Sequence, residues 1–146
     1  MARPLLLVED SDSDAEALLR LSRQLPLSPP IIRVHSGESA LDFLHRRGEH
    51  VNALRPALVL LDLHLPGIGG REVLSDLKAD PGLRSIPVII FSSSEEPADV
   101  EGAYASGANS YLHKPPGGLR LQTAAQALQA FWFTAALLPG GKEPPQ

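Results

Sequence analysis

Residues 57–70 read ALVLLDLHLPGIGG, and this stretch decides the fold class. It opens with five apolar residues, 57–61, which is typical of a strand that is buried on both faces of a sheet. A single acid, Asp62, follows at once, and the breakers Pro66 and Gly67 come soon after. A carboxylate at the end of a buried strand costs free energy unless it has a partner, so Asp62 is a candidate functional residue.

Four further apolar runs predict the other strands of the same sheet, at residues 5–8, 31–34, 88–91 and 111–112. Segments of helix length alternate with these runs, and the last covers residues 119–138. The fourth segment has the weakest apolar face, which is formed by Val100, Ala103 and Tyr104. Because strand and helix alternate, the sequence predicts an α/β fold with a doubly wound, five-stranded parallel sheet and five helices.

The composition describes one globular domain. The chain has 146 residues, of which 43% are hydrophobic and 21% are charged, and this balance excludes a disordered chain. The absence of cysteine excludes disulfides and thiolate sites and fits a reducing cytoplasm. A net charge of −4 gives no general attraction to nucleic acid, and no apolar run is long enough to span a membrane. We therefore expect a cytoplasmic domain over residues 1–138, with a flexible Pro- and Gly-rich tail at 139–146.

Polar side chains that suit phosphoryl chemistry follow four of the predicted strands. They are Glu9, Asp10, Asp62, Ser92 and Lys114. The carboxyl ends of parallel strands meet at one edge of a sheet, so we expect these groups to lie close together. Crowded carboxylates favour a hard cation such as Mg²⁺, and a carboxylate can itself accept a phosphoryl group when a metal and a lysine offset the charge. The sequence therefore predicts a phosphoacceptor site at this edge.

These residues, with the 66–70 loop that follows Asp62, resemble the response-regulator receiver family over about residues 4–130. The resemblance implies the flavodoxin-like strand order 2-1-3-4-5. It also implies a two-component signalling switch in which Asp62 is phosphorylated by a sensor histidine kinase. Such a chain is not an enzyme beyond catalysing its own phosphotransfer and dephosphorylation.

The resemblance implies a set of Mg²⁺ ligands. Asp10 is similar to the residue that binds the metal directly, and Glu9 to the residue that binds it through water. Asp62 and the backbone carbonyl of His64 complete the protein ligands.

The resemblance also implies which residues contact the phosphoryl group and respond to it. Lys114 and the Ser92 hydroxyl are similar to the groups that bind the phosphoryl oxygens. Ser92 and Tyr111 resemble the switch pair, in which the hydroxyl moves to the phosphate and the ring swings inward. Ser94 holds a position that tunes dephosphorylation in relatives, and the peptide bond before Pro115 is expected to be cis.

Two regions of the chain resemble a narrower group, the single-domain regulators that are paired with phytochrome-type light-sensing kinases. The first is the long connection at residues 48–56, and the second is the region of Phe131 and Trp132. A bacteriophytochrome kinase is therefore the expected partner within this group.

The last predicted helix indicates a homodimer. Fourteen of its twenty residues are apolar, which is more than one core-facing stripe requires. An apolar patch that is left over on a helix marks a partner surface, and two-fold pairing is the commonest solution. We predict an interface that includes four residues: Phe131, Trp132, Phe133 and Leu137.

Three other interpretations remain open from the sequence. The acids of residues 9–14 are also typical of a helix start, and Lys114 and Tyr111 are ordinary surface and core residues when taken singly. A phosphohydrolase of the haloacid-dehalogenase type also uses an Asp after a strand, but it needs a second Asp where this chain has His64. A flavodoxin-like binder of a nucleotide or flavin phosphate needs an uncharged loop where residues 9–14 are acidic.

Overall fold

The computed structural model describes residues 3–24, 30–114, 123–124, 126–128, 130–131 and 138. Five strands are present, and their bounds are β1 Leu5–Val8, β2 Ile31–Val34, β3 Leu58–Leu61, β4 Val88–Ser92 and β5 Ser110–His113. Four helices alternate with them: α1 Asp12–Arg23, α2 Gly37–Leu44, α3 Gly70–Ala79 and α4 Pro97–Ala105. A short 3-10 turn, Gly48–His50, lies between α2 and β3. The helical residues 123–124, 126–128 and 130–131 belong to a fifth helix, α5.

The five strands form one parallel sheet in the order β2-β1-β3-β4-β5, which confirms the predicted fold. The three central strands have no exposed residue, and this explains why they read as continuous apolar runs. The two edge strands are only partly buried, and β5 contains Ser110 and His113 among its four residues.

The core has one apolar layer on each face of the sheet, because successive strand side chains point to opposite faces. Leu6 and Val8 of β1 pack with α2, α3 and Ala103 of α4, whereas Leu5 and Leu7 pack with α1 and with Leu128 of α5. The two layers fix the strand ends in one plane, and this places the loops after β1, β3, β4 and β5 beside one another.

The fourth helix differs from its predicted apolar face. Ala103 is completely buried and Val100 is half-buried, but the Tyr104 side chain is 49% exposed. The Tyr104 hydroxyl accepts a hydrogen bond from the backbone N–H of Tyr111 at 3.1 Å. Tyr104 therefore does not extend the buried part of this apolar face, because its hydroxyl contacts the edge strand β5 instead. Within the part of the chain that the structure describes, no helix has the length and apolar character needed to cross a membrane.

Candidate functional site

Three carboxylates meet where β1 and β3 end. One oxygen from each of Glu9, Asp10 and Asp62 lies within 4.8 Å of the other two. Glu9 and Asp62 are buried and Asp10 is exposed, so the cluster opens to solvent on one side. Hard divalent cations prefer carboxylate oxygens in this arrangement, with remaining positions for water. The residues present therefore fit a divalent cation.

Lys114 supplies the balancing positive charge. Its Nζ donates hydrogen bonds to Glu9 Oε1 at 2.8 Å, to Asp14 Oδ2 at 2.8 Å and to Asp62 Oδ2 at 3.5 Å. The ammonium also lies 5.9 Å from the centre of the Phe91 ring. The backbone N–H of Lys114 donates to the Ser92 carbonyl at 2.7 Å. This bond continues the pairing of β4 with β5 and fixes the position of the Lys114 backbone.

Burial and the neighbouring charges change the pKa values of Glu9 and Lys114. Burial raises the pKa of Glu9 to about 7, with the hydrogen bond from Lys114 opposing the rise and the charge of Asp62 adding to it. Burial alone lowers the pKa of Lys114, but the hydrogen bonds to Asp14 and Glu9 outweigh it and the pKa is raised overall. The cluster therefore keeps Lys114 positively charged, whereas Glu9 is the acid that takes up a proton more readily than a free glutamate does.

The backbone holds the acids of the cluster in place. The N–H of Asp62 donates to the Val8 carbonyl at 3.0 Å, and the N–H of His64 donates to Asp62 Oδ1 at 3.2 Å. Arg33, from the edge strand β2, donates from Nε and Nη2 to the Glu9 carbonyl at 3.0 and 2.8 Å. The Arg33 guanidinium also forms a salt bridge with Asp12 at 2.8 Å. Asp12 therefore contacts β2 in addition to lying at the start of α1. These bonds tie the loop after β1 to both of its neighbouring strands.

The predicted switch residues, Ser92 and Tyr111, both contact Ser94. Ser92 is completely buried, and its Oγ accepts a hydrogen bond from the backbone N–H of Ser94 at 3.2 Å. The Tyr111 hydroxyl donates to the Ser94 carbonyl at 2.8 Å. His113 contacts the Ser93 carbonyl in the same loop at 3.2 Å. The loop between β4 and α4 is therefore held by two side chains of β5.

A bridge of side chains connects this loop to the loop after Asp62. Asp99 Oδ2, in the first turn of α4, accepts from Ser94 Oγ at 2.5 Å and lies 3.2 Å from His64 Nε2. The sequence pattern does not distinguish Asp99, and it indicates for Asp14 only a place among the acids of a helix start. The position of both acids in the first turn of a helix does not indicate a role in the site, because acids are common there and need no other partner.

The structure brings together most of the residues that the sequence predicted for the site. Glu9, Asp10, Asp62 and Lys114 form one cluster, and the backbone of His64 contacts Asp62. The expected cis peptide bond before Pro115 lies outside the described residues, as do three of the four predicted interface residues: Trp132, Phe133 and Leu137.

The model of the response regulator receiver domain matches residues 5–126 of the chain. The chain belongs to this family. It is therefore a receiver domain of two-component systems, and the predicted family membership is confirmed. The match covers the complete acidic cluster, Lys114 and all five strands.

Three relatives have similar sequences over nearly the whole receiver. Response regulator Rcp1 of Synechocystis sp. is 36% identical over 92% of this chain and 92% of its own length. A crystal structure of the Mn²⁺-bound form of Rcp1 superposes with a TM-score of 0.91, at 36% identity, and covers 94% of this chain and 99% of that chain. The structure of the phosphorylated cyanobacterial phytochrome response regulator RcpA has a TM-score of 0.91, at 34% identity, over 95% and 99% of the two chains. The probable methanogenesis regulatory protein FilR2 of Methanothrix harundinacea is 36% identical over 93% of this chain and 87% of its own length.

Proposed function

We propose that this receiver takes a phosphoryl group from a sensor histidine kinase onto Asp62. The observation that carries the proposal is the position of the Asp62 carboxylate between the Lys114 ammonium, 3.5 Å away, and the oxygens of Glu9 and Asp10, which lie within 4.8 Å. One Asp62 oxygen would form the new bond to phosphorus while the bond from phosphorus to the donor nitrogen breaks. Phosphoryl transfer of this kind depends mainly on positioning and on neutralising charge, and both are present around Asp62.

The residues that would hold Mg²⁺ are Asp10, Glu9, Asp62 and the backbone carbonyl of His64. A bound Mg²⁺ would offset the charge of the carboxylates and of the phosphoryl oxygens. Lys114, which is buried and whose pKa is raised, would bind the phosphoryl group with its ammonium. The set of hard oxygen donors and the Mn²⁺-bound form of Rcp1 support a divalent cation at this place.

Ser92 and Tyr111 are the proposed switch pair. The Ser92 hydroxyl would donate to a phosphoryl oxygen on Asp62, and a movement of its oxygen would also shift the Ser94 N–H, from which that oxygen accepts a hydrogen bond. The same loop holds the Tyr111 hydroxyl through the Ser94 carbonyl, so a shift at Ser92 reaches Tyr111 and α4. The proposed output surface is therefore formed by α4, β5 and α5.

The test of phosphorylation is intact mass after treatment with a small-molecule phosphodonor and Mg²⁺. We expect one phosphate adduct on the wild type and none on Asp62→Asn, which keeps the size of the side chain but removes the nucleophile. The adduct should also disappear when the metal is chelated. An adduct on Asp62→Asn, or an unchanged rate after chelation, would contradict the assigned roles.

The two alternative interpretations make different demands on the same site. A phosphohydrolase of the haloacid-dehalogenase type would place a second carboxylate where the structure has His64, whose side chain is 59% exposed and faces Asp99. A flavodoxin-like binder would need an uncharged loop after β1, whereas Glu9, Asp12 and Asp14 are all paired with cations or hydrogen-bonded there. Turnover of a generic phosphate ester would support the first alternative, and a bound flavin in the purified protein would support the second.

We further propose that the kinase is of the phytochrome type. The similarity to RcpA, a cyanobacterial phytochrome response regulator, supports this assignment. FilR2, a probable methanogenesis regulatory protein, has a comparable identity and favours a different signal. Phosphotransfer from a purified bacteriophytochrome kinase therefore decides between them. We expect transfer to Asp62 that depends on the light state of the kinase, and transfer at the background rate of an unrelated kinase would contradict the proposal.

The receiver is also proposed to form a homodimer through α5, with residues 1–138 as the folded unit and residues 139–146 as its tail. Phe131, the interface residue that the structure describes, is 59% exposed although its neighbour in the helix, Leu128, is buried in the core. An apolar side chain exposed beside a core residue supports a partner surface on this helix.

A further inference from the structure

Asp14 is an acid that the proposed phosphotransfer does not use. It lies in the first turn of α1, and its side chain is 27% exposed. Nevertheless it accepts one of the two shortest hydrogen bonds of Lys114, at 2.8 Å, although the two residues are 100 positions apart in the sequence. The Asp62 carboxylate, to which Lys114 would bring its charge, is more distant at 3.5 Å.

The three acceptors of Lys114 differ in one respect. Glu9 and Asp62 also belong to the cluster whose oxygens lie within 4.8 Å of one another, whereas Asp14 does not. A divalent cation in that cluster would therefore use two of the carboxylates that Lys114 contacts, and it would leave the third untouched. An ammonium group has three N–H donors, and a buried charge without a partner costs free energy. If the cation occupies one or two of the acceptors, the hydrogen bond to the remaining acceptor becomes more important for keeping Lys114 in place.

We propose that Asp14 is a positioning residue that holds Lys114 when a divalent cation takes up Glu9 and Asp62. The inference rests on the proposed function, because it assumes that a cation binds this cluster. With Asp14 present, the ammonium keeps a charged partner in its buried position and does not compete for the other two carboxylates. Without Asp14, the lysine remains bound to Glu9 and Asp62, and the cation has to displace it.

The experiment measures the dissociation constant of Mn²⁺ for the full chain, by titration calorimetry without any phosphodonor. Asp14→Asn keeps the size of the side chain and should weaken Mn²⁺ binding about tenfold, which corresponds to one hydrogen bond between charged groups. Asp14→Glu, which restores the charge, should recover most of the affinity. Asp12→Asn is the matched control, because it removes an equal charge from the same turn while Asp12 pairs with Arg33 and not with Lys114.

A double-mutant cycle separates this role from a general effect of charge. In a Lys114→Met background, which removes the ammonium but keeps an apolar side chain of similar length, Asp14→Asn should change the Mn²⁺ affinity no more than Asp12→Asn does. Circular dichroism and the unfolding temperature confirm that each variant is folded before its affinity is interpreted.

Three results would overturn the inference: equal losses in Asp14→Asn and Asp12→Asn, no loss in Asp14→Asn, or a full loss that persists in the Lys114→Met background. The wild type keeps the two proposals apart. If it binds Mn²⁺ and takes phosphate on Asp62, the proposed function stands and the Asp14 series alone decides this inference. If it binds no Mn²⁺, both proposals fail together.

Discussion

Asp99 joins two loops through one oxygen atom. Its Oδ2 accepts from Ser94 Oγ at 2.5 Å and contacts His64 Nε2 at 3.2 Å, so one carboxylate holds a residue of the loop after β4 and a residue of the loop after β3. The hydrogen bond from Ser94 lowers the pKa of Asp99, and the contact with His64 acts in the same direction. The bridge therefore depends on the ionised carboxylate.

This dependence gives a prediction with a definite sign. Because the folded-state pKa of Asp99 is lowered, its stabilising contribution is present above the ordinary pKa of the carboxyl group and is lost as the pH falls through the lowered value. Asp99→Asn should therefore be less stable than the wild type at pH 7 in urea unfolding, and the difference should shrink as the pH falls below the ordinary Asp range. Glu101→Gln, on the exposed side of the same helix, is the control. A difference that stays constant across this pH range would rule out the ionic bridge.

The sequence could identify Glu9, Asp10, Asp62 and Lys114 because each follows a predicted strand. In a parallel sheet that position alone brings side chains to a common edge. The partners of Asp14 and Asp99 could not be identified in this way, since both residues are in the first turn of a helix. Their roles depend on contacts with residues that are far away in the sequence. The residues next to them in the sequence do not indicate these contacts.

The connection between β3 and α3 sets the backbone geometry around Asp62, the proposed phosphoacceptor. The chain folds back so closely after Asp62 that Gly70, the first residue of α3, donates its N–H to the Leu63 carbonyl at 3.0 Å. A Cβ atom at position 70 would lie 2.3 Å from the Asp62 carbonyl oxygen and 2.8 Å from Leu63 Cα. A side chain at position 70 would clash with the backbone of Asp62 and Leu63, so this close approach requires glycine.

Replacing Gly70 should therefore be costly although alanine favours helices. We expect Gly70→Ala to lower the free energy of unfolding by about 2 kcal/mol or more, because the backbone next to Asp62 has to shift. Gly69→Ala is the matched control, since its Cβ would lie 4.0 Å from the nearest heavy atom, the Leu63 carbonyl oxygen. It should stay within about 1 kcal/mol of the wild type. Urea unfolding measures both values, and equal stabilities of the two variants would contradict the steric argument.

The positions of the strands and of the first three helices followed from their apolar patterns, because the central strands are buried on both faces and the three helices each bury one apolar side. The fourth helix could be located but not oriented. Ala103 is its one completely buried residue, and Tyr104 faces outward to cap β5, so its pattern is set by a hydrogen bond rather than by burial. Periodicity predicts a face only where the core determines it.

The whole molecule has an open apolar region on the side of β5 and α5. A cavity of about 480 Å³ lies there, and apolar side chains from the sheet and the helix line most of it, including Ile89, Leu112, Leu128 and Phe131. Leu128 belongs to the core, whereas Phe131 is 59% exposed at the rim. The proposed dimer would cover this rim with the same helix of a second copy, since a two-fold interface uses one patch twice.

The proposed homodimer predicts how substitutions on two surfaces will differ. Light scattering at micromolar concentration should give the mass of two chains for the wild type and of one chain for Phe131→Asp, because a carboxylate in the middle of an apolar contact loses its hydration without gaining a partner. Val51→Asp is the control: Val51 is 61% exposed, next to the 3-10 turn between α2 and β3, and this variant should remain dimeric. If the wild type is a monomer, or if Phe131→Asp still pairs as tightly as Val51→Asp, then α5 is not the interface.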